Sequence, residues 1–250
     1  MLAAKAEVHE HGRRAVAQDH VRGFDVEVAY AGRAHSLLRL EQYDRAIADL
    51  DQALALEPND PRAHLHRGIA HLKRNRYDRA IEDFDKTISL DGDDAEAYAN
   101  RGLAWLRKND YDRAIADLNR AVELNPDESV AYYNRGLAYA HKGNHSRAIA
   151  DYDKAIANNP QDAEAYNNRG LALARTGNYD RALADYDRAI EINPNYAEAY
   201  NNRGLAHYRK GSLAAALDDL LRAETLLPAG SPQRSKARDA IAEVERLHRQ

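Results

Sequence analysis

Ala95–Glu128 reads AEAYANRGLAWLRKNDYDRAIADLNRAVELNPDE, and its apolar and small residues fall into two helical stripes. In the first half Tyr98, Arg101, Gly102 and Trp105 recur at spacings of three and four, one face of a helix. In the second half Tyr111, Ala114, Ile115, Leu118, Ala121 and Val122 do the same. Asn109-Asp110 separates the halves, and Asn tolerates the left-handed conformation that ends one helix and turns into another. At the far end Pro126 disfavours continuation of the second helix, and Asp127-Glu128 supply acid at the start of a following one. The stretch is a helical hairpin.

The same 34-residue hairpin occurs six times without insertion or deletion, in blocks starting at Glu27, Pro61, Ala95, Ser129, Ala163 and Ala197. Position 3 is alanine throughout, and position 7 is Arg33, Arg67, Arg101, Arg135, Arg169 or Arg203. Position 8 is Ala34 once and then Gly68, Gly102, Gly136, Gly170 and Gly204. Position 20 is always alanine, and position 32 is proline except at Gly92. The turn dipeptide becomes Gly143-Asn144, Gly177-Asn178 and Gly211-Ser212 in later blocks. Asp60-Pro61 is an N-cap followed by proline at the first helical position. In an antiparallel hairpin that turns near position 15, position 8 faces 23 to 24, position 11 faces 20 and position 4 faces 27. Large residues then meet small ones, as dense packing requires.

This pattern resembles the tetratricopeptide repeat: an aromatic at 4, a small residue at 8, an aromatic at 11, alanine at 20, an aromatic at 24, alanine at 27 and proline at 32. The resemblance covers residues 27–230. It implies an all-α fold, a right-handed α-solenoid of six hairpins (27–60, 61–94, 95–128, 129–162, 163–196 and 197–230), counted as one elongated domain. The outer blocks depart from the pattern, with Ala34 and Leu37 in the first and Glu224 at an apolar position of the last, as terminal units do. Ser231-Pro232 then opens a helix whose Ala237, Ala240, Ile241, Val244 and Leu247 share a face, so 231–250 is expected to be a capping helix. Residues 1–26 fit no register and are read as a partly helical, unassigned segment.

Composition narrows the function. Net charge is −4, from 36 basic and 40 acidic residues interspersed along the chain, so no broad field attracts nucleic acid or an anionic membrane. Cysteine is absent, which removes disulfides, thiol catalysis and cysteine-ligated metals. No apolar run is long enough to insert in a membrane, and MLAAKAEVHE lacks the apolar stretch of a secretory signal. The expected location is cytoplasmic, or periplasmic if a leader is missing.

Two further sets of positions carry polar chemistry. Every arginine at position 7 is matched by aspartate at position 23 (Asp49, Asp83, Asp117, Asp151, Asp185, Asp219), almost level across the hairpin. An ion pair within the unit is the preferred reading over a ladder for an acidic ligand, because the counter-charge repeats with it. The second set is a stripe of the first helix off the core face, which in tetratricopeptide arrays lines the concave groove where peptides lie. Here it holds Asn100, Asn134, Asn168 and Asn202, then Tyr133, Asn167 and Asn201. Beside them run Leu103, Leu137, Leu171 and Leu205, with Arg107, His141, Arg175 and Arg209 at the margin. Carboxamides can satisfy an extended peptide backbone while leucines offer apolar contact. The alternative is that the amides bridge neighbouring helices and the leucines pack between units.

The lysine and arginine set with which one variant of the family grips a C-terminal carboxylate is mostly missing. His64, His66 and His71 share a helix, and His35 can approach His66, but no two of the three stand at i, i+4 and no HExxH occurs. No phosphate loop, nucleophile elbow or paired-carboxylate pocket is present. The expectation is therefore a non-enzymatic protein-interaction scaffold, with no cofactor or metal, binding a protein or peptide partner in the groove. Self-association through terminal repeats is the alternative.

Overall fold

The computed structural model describes residue 26 and residues 29–249. The expected partly helical segment 1–26 lies, but for Val26, outside them. The described residues form thirteen helices and no strand: α1 (29–39), α2 (Tyr43–Leu56), α3 (Pro61–Lys73), α4 (Tyr77–Leu90), α5 (Ala95–Arg107), α6 (Tyr111–Leu124), α7 (Ser129–His141), α8 (His145–Asn158), α9 (Ala163–Arg175), α10 (Tyr179–Ile192), α11 (Ala197–Arg209), α12 (Leu213–Leu226) and α13 (Pro232–His248). The architecture is the all-α tetratricopeptide type with a C-terminal helix. The chain divides into two compact units, Met1–Asp110 and Tyr111–Gln250, so α5 belongs to the first and α6 to the second. In the first unit α2 packs on α3, α3 on α4 and α4 on α5. In the second each helix from α6 to α13 packs on the next, and α7, α9, α11 and α13 also touch in succession.

Local chemistry sets these hairpins. The residue that turns each pair sits at positive φ, 57° at Asn75, 74° at Gly143 and 82° at Gly177, where glycine and asparagine are tolerated. Glu41 does the same at 57° without that licence. Asp60, Asp94 and Asp162 accept hydrogen bonds from backbone N–H groups of the helices that follow them. The glycine at position 8 is required by close approach: a Cβ on Gly136 would stand 2.7 Å from Cε1 of Tyr152, and one on Gly170 2.7 Å from that of Tyr186.

The expected ion pairs form in all five blocks whose helices lie in one unit. Arg135 donates from Nε to Asp151 Oδ2 at 2.9 Å and from Nη2 to Oδ1 at 2.6 Å, and Arg169 grips Asp185 at the same two distances. Arg33 with Asp49, Arg67 with Asp83 and Arg203 with Asp219 repeat the arrangement. The remaining Nη1 reaches back to the preceding hairpin, from Arg67 to Asp51, Arg101 to Asp85, Arg135 to Asn119, Arg169 to Asp153 and Arg203 to Asp187. Each guanidinium also stacks on the tyrosine three residues before it where that residue is present, as Arg169 does on Tyr166 with 5.4 Å to the ring centroid. The hydrogen bond to Asp185 holds the Arg169 guanidinium above its ordinary pKa against the desolvation of burial. Outside this junction Lys108 pairs with Asp78, Lys142 with Asp112 and Lys210 with Asp180 of the preceding block. At the first junction Arg74 takes the lysine's place and pairs with Asp44 at 3.0 Å; between the fourth and fifth blocks Thr176 stands in its place and Ser146 in place of the aspartate, so both charges are missing together. These pairs are exposed and each contributes about 0–1 kcal/mol.

The C-terminal helix closes the second unit. Ser231 caps it by accepting from the Arg234 N–H, and Ile241 and Val244 complete a cluster with Ala216 and Leu220. Glu224, out of place at an apolar position, pairs with Arg238 at 2.6 Å. In the second block histidine replaces two core aromatics. His64 faces Asp83 Oδ1 at 3.2 Å through Nδ1 and the Pro58 carbonyl at 3.0 Å through Nε2. His71 is buried, and its Nδ1 has no hydrogen-bond partner among the described residues. The His35 and His66 rings do approach, with centroids 5.5 Å apart, but among the described residues no group of three or more candidate metal ligands assembles.

Two outcomes are expected. Arg135→Ala strands the buried Asp151 carboxylate and should cost roughly 2–4 kcal/mol in denaturant unfolding, whereas an apolar replacement of both Arg135 and Asp151 should cost much less. Burial holds His71, and together with His35 also His66, below the ordinary value of 6.5. Below that value the unfolded chain takes up protons that the folded one refuses, so stability falls as pH drops from 6.5 toward the lower folded values. His71→Leu, the residue that Leu173 supplies at the same position, should flatten that slope in pH-dependent melting.

Candidate functional site

The first helices of successive hairpins in the second unit, α7, α9 and α11, lie side by side, α7 against α9 and α9 against α11. Their outer face carries two adjoining hollows. The one between α7 and α9 has a volume of about 560 Å³, with Leu137, His141, Asn168, Leu171 and Arg175 around it. The one between α9 and α11 is about 430 Å³, with Leu171, Arg175, Asn202, Leu205 and Arg209. Leu171 and Arg175 line both. The structure thus brings eight residues of the sequence-derived stripe to one surface. Asn100, Leu103 and Arg107 lie on α5, in the first unit, where Leu103 packs against the core.

The amides of the stripe are engaged between neighbouring helices. Asn168 Nδ2 donates to Tyr133 Oη at 3.0 Å, and that hydroxyl donates in turn to Glu164 Oε2 at 3.1 Å. One hairpin further on, Asn202 Nδ2 donates to Asn167 Oδ1 at 3.0 Å. Asn167 and Asn134 are only 3 % and 5 % exposed. Asn100 bonds the Glu96 carbonyl of its own helix, and Asn201 is half-buried. Position 6 therefore grips position 5 of the preceding block wherever the latter is polar. Each of Asn168 and Asn202 keeps a second N–H and a carbonyl for other contacts. Burial first, then the Glu164 carboxylate, pushes the Tyr133 hydroxyl far above its ordinary pKa, so it stays protonated.

The leucines remain open: Leu171 is 38 % and Leu205 39 % exposed, among the large apolar side chains left uncovered. Arg175 and Arg209 are exposed and make no ion pair or hydrogen bond among the described residues. His141 is stacked flat on Tyr111, centroids 5.0 Å apart. Sequence reading missed what lies beneath. Tyr152 and Tyr186, which the sequence reading covers only as the aromatic of position 24, line the two hollows, as do His145 in one and Tyr179 and Tyr208 in the other. The available signal was tyrosine at position 24 in the fourth and fifth blocks, where other blocks have leucine or phenylalanine.

Comparison with known proteins agrees with the fold. The family profile described as tetratricopeptide repeat matches residues 32–95, 67–129, 100–163, 133–197 and 167–232. A comparison with curated proteins found no match. Among solved structures, a MamA protein superposes with a TM-score of 0.61 at 30% identity, over 70% of this chain and 95% of that one. YrrB, described as a tetratricopeptide protein with an unusual peptide-binding site, gives 0.62 at 24% identity over 72% of this chain and 93% of that one. PilF of Pseudomonas aeruginosa gives 0.75 at 19% identity, over 87% and 98%. With helical hairpins throughout and the family profile covering most of its length, the chain belongs to the tetratricopeptide repeat family, whose members serve as protein-interaction scaffolds for protein or peptide partners.

Proposed function

We propose that this scaffold holds an extended peptide or partner segment across the face formed by α7, α9 and α11, as part of a six-hairpin array over residues 27–230. The pair of adjoining hollows carries the reading: they are open, apolar in their walls, polar at their margins and repeated at the interval of one hairpin. A peptide lying across the first helices would meet Leu137, Leu171 and Leu205 in turn. Between the leucines, the spare donor and acceptor capacity of Asn168 and Asn202 matches a peptide backbone. Buried Asn134 and Asn167 act in this reading as supports that fix the spacing of the helices. The role is binding, with no catalytic group assigned.

The test is partner capture by the intact protein, followed by titration of the captured segment against Leu171→Ala and Leu205→Ala. With 38 % of Leu171 and 39 % of Leu205 still exposed, burial by the partner contributes about 0.6–1.2 kcal/mol per leucine, so each variant should stay folded and bind several-fold more weakly. Unchanged affinity in both folded variants would move the binding site off this face.

A further inference from the structure

The two hollows of the second unit are lined by cationic and neutral side chains alone. The chain has 40 acidic residues, yet no aspartate or glutamate lines either hollow. What converges there is a set of donors. Arg175 lines both hollows and Arg209 the second, and neither has a carboxylate partner among the described residues. Tyr152 and Tyr186 are each 1 % exposed, line one hollow apiece, and have hydroxyls without a hydrogen-bond partner among the described residues. Burial pushes both hydroxyls above their ordinary pKa, so each keeps its proton to donate. His145 adds, at the first hollow, a buried Nδ1 with no partner among the described residues. A ring nitrogen this deeply placed is costly to leave unpaired.

Resting on the reading of this face as a peptide site, we infer that the hollows are side-chain pockets for an acidic peptide, each taking the carboxylate of an aspartate or glutamate, with Arg175 placed between them. The leucine walls suit the aliphatic stem of such a side chain, and a guanidinium with a tyrosine hydroxyl suits its two oxygens. Charge selects a carboxylate over a phosphate: the hollows share two guanidiniums, which balance two single charges and leave two dianions under-neutralised. Packed helices lie about 10 Å apart, and a chain in polyproline conformation advances roughly 9 Å every three residues with its side chains realigned. A Glu-x-x-Glu spacing therefore reaches both hollows.

The experiment is selection of a random dodecapeptide library on the full chain, followed by titration of the enriched peptides, amidated at the C-terminus, against four proteins. These are wild type, Leu171→Ala, the double variant Arg175→Gln with Arg209→Gln, and the double variant Tyr152→Phe with Tyr186→Phe. Phenylalanine already occupies the equivalent position at Phe84, so the last variant keeps the packing and removes only the hydroxyls. The expected peptides carry acids three residues apart, bind roughly tenfold or more weakly to the arginine variant and several-fold more weakly to the tyrosine variant, and lose affinity with added salt. Neutral or basic peptides that weaken on Leu171→Ala but ignore the arginine and tyrosine variants would overturn the acidic pockets and leave the peptide face standing. Peptides that bind Leu171→Ala as well as wild type would overturn both.

Discussion

The guanidinium at position 7 is the joint on which each unit is built. It forks onto the aspartate of its own second helix, reaches the preceding hairpin with its third arm, and lies over a tyrosine of its own helix. A single side chain therefore fixes the pairing of two helices and the register of that pair against its neighbour. Lysine could not do this, because its ammonium is a compact point charge without a planar fork. The arrangement also explains why the opposing carboxylate repeats with the arginine: a half-buried guanidinium without its partner would be a net cost. The glycine at the next position completes the joint by letting an aromatic ring approach the first helix closely, as Tyr152 does at Gly136.

Because that joint consumes the charged residues of the hairpin interior, the outer face of the first helices is left to other chemistry. Two amide contacts, Asn168 to Tyr133 and Asn202 to Asn167, tie α7 to α9 and α9 to α11 along that face. They hold the helices at the separation that opens the hollows. The groups left uncommitted among the described residues include exposed leucines, arginines without an ion pair, the Tyr152 and Tyr186 hydroxyls and the His145 Nδ1. These groups are open to a ligand, and on that basis we propose the face for binding, while the arginine–aspartate joints are assigned to structure.

Most of the hairpin was legible because the sequence compares six versions of the same unit. The turn residues, the small positions facing aromatics and the paired charges each recur at a fixed spacing, and the arithmetic of an antiparallel hairpin places Arg135 level with Asp151 without further information. Contacts between hairpins were less legible. Nothing in the register of one block says that Asn168 meets Tyr133 or that the third arm of Arg169 meets Asp153, since those depend on how one pair settles on the next. The division into two units at Asp110 has no mark in the repeat. The hydroxyls of Tyr152 and Tyr186 were hidden for another reason: an aromatic at position 24 satisfies the packing rule whether or not its polar tip finds a hollow. The second-block histidines occupy aromatic core positions, which accounts for the burial of His64 and His71 in a helix that otherwise resembles its neighbours.

The central claim is that one arginine joins both its own hairpin and the preceding one. Hydrogen–deuterium exchange resolved along the chain tests it most directly, with Arg169→Ala compared against wild type under native conditions, where local opening is read helix by helix. The account predicts faster exchange in α8, which carries Asp153, as well as in α9 and α10, with α12 and α13 little changed. A rise confined to α9 and α10 would contradict it and reduce the arginine to a clasp within a single hairpin.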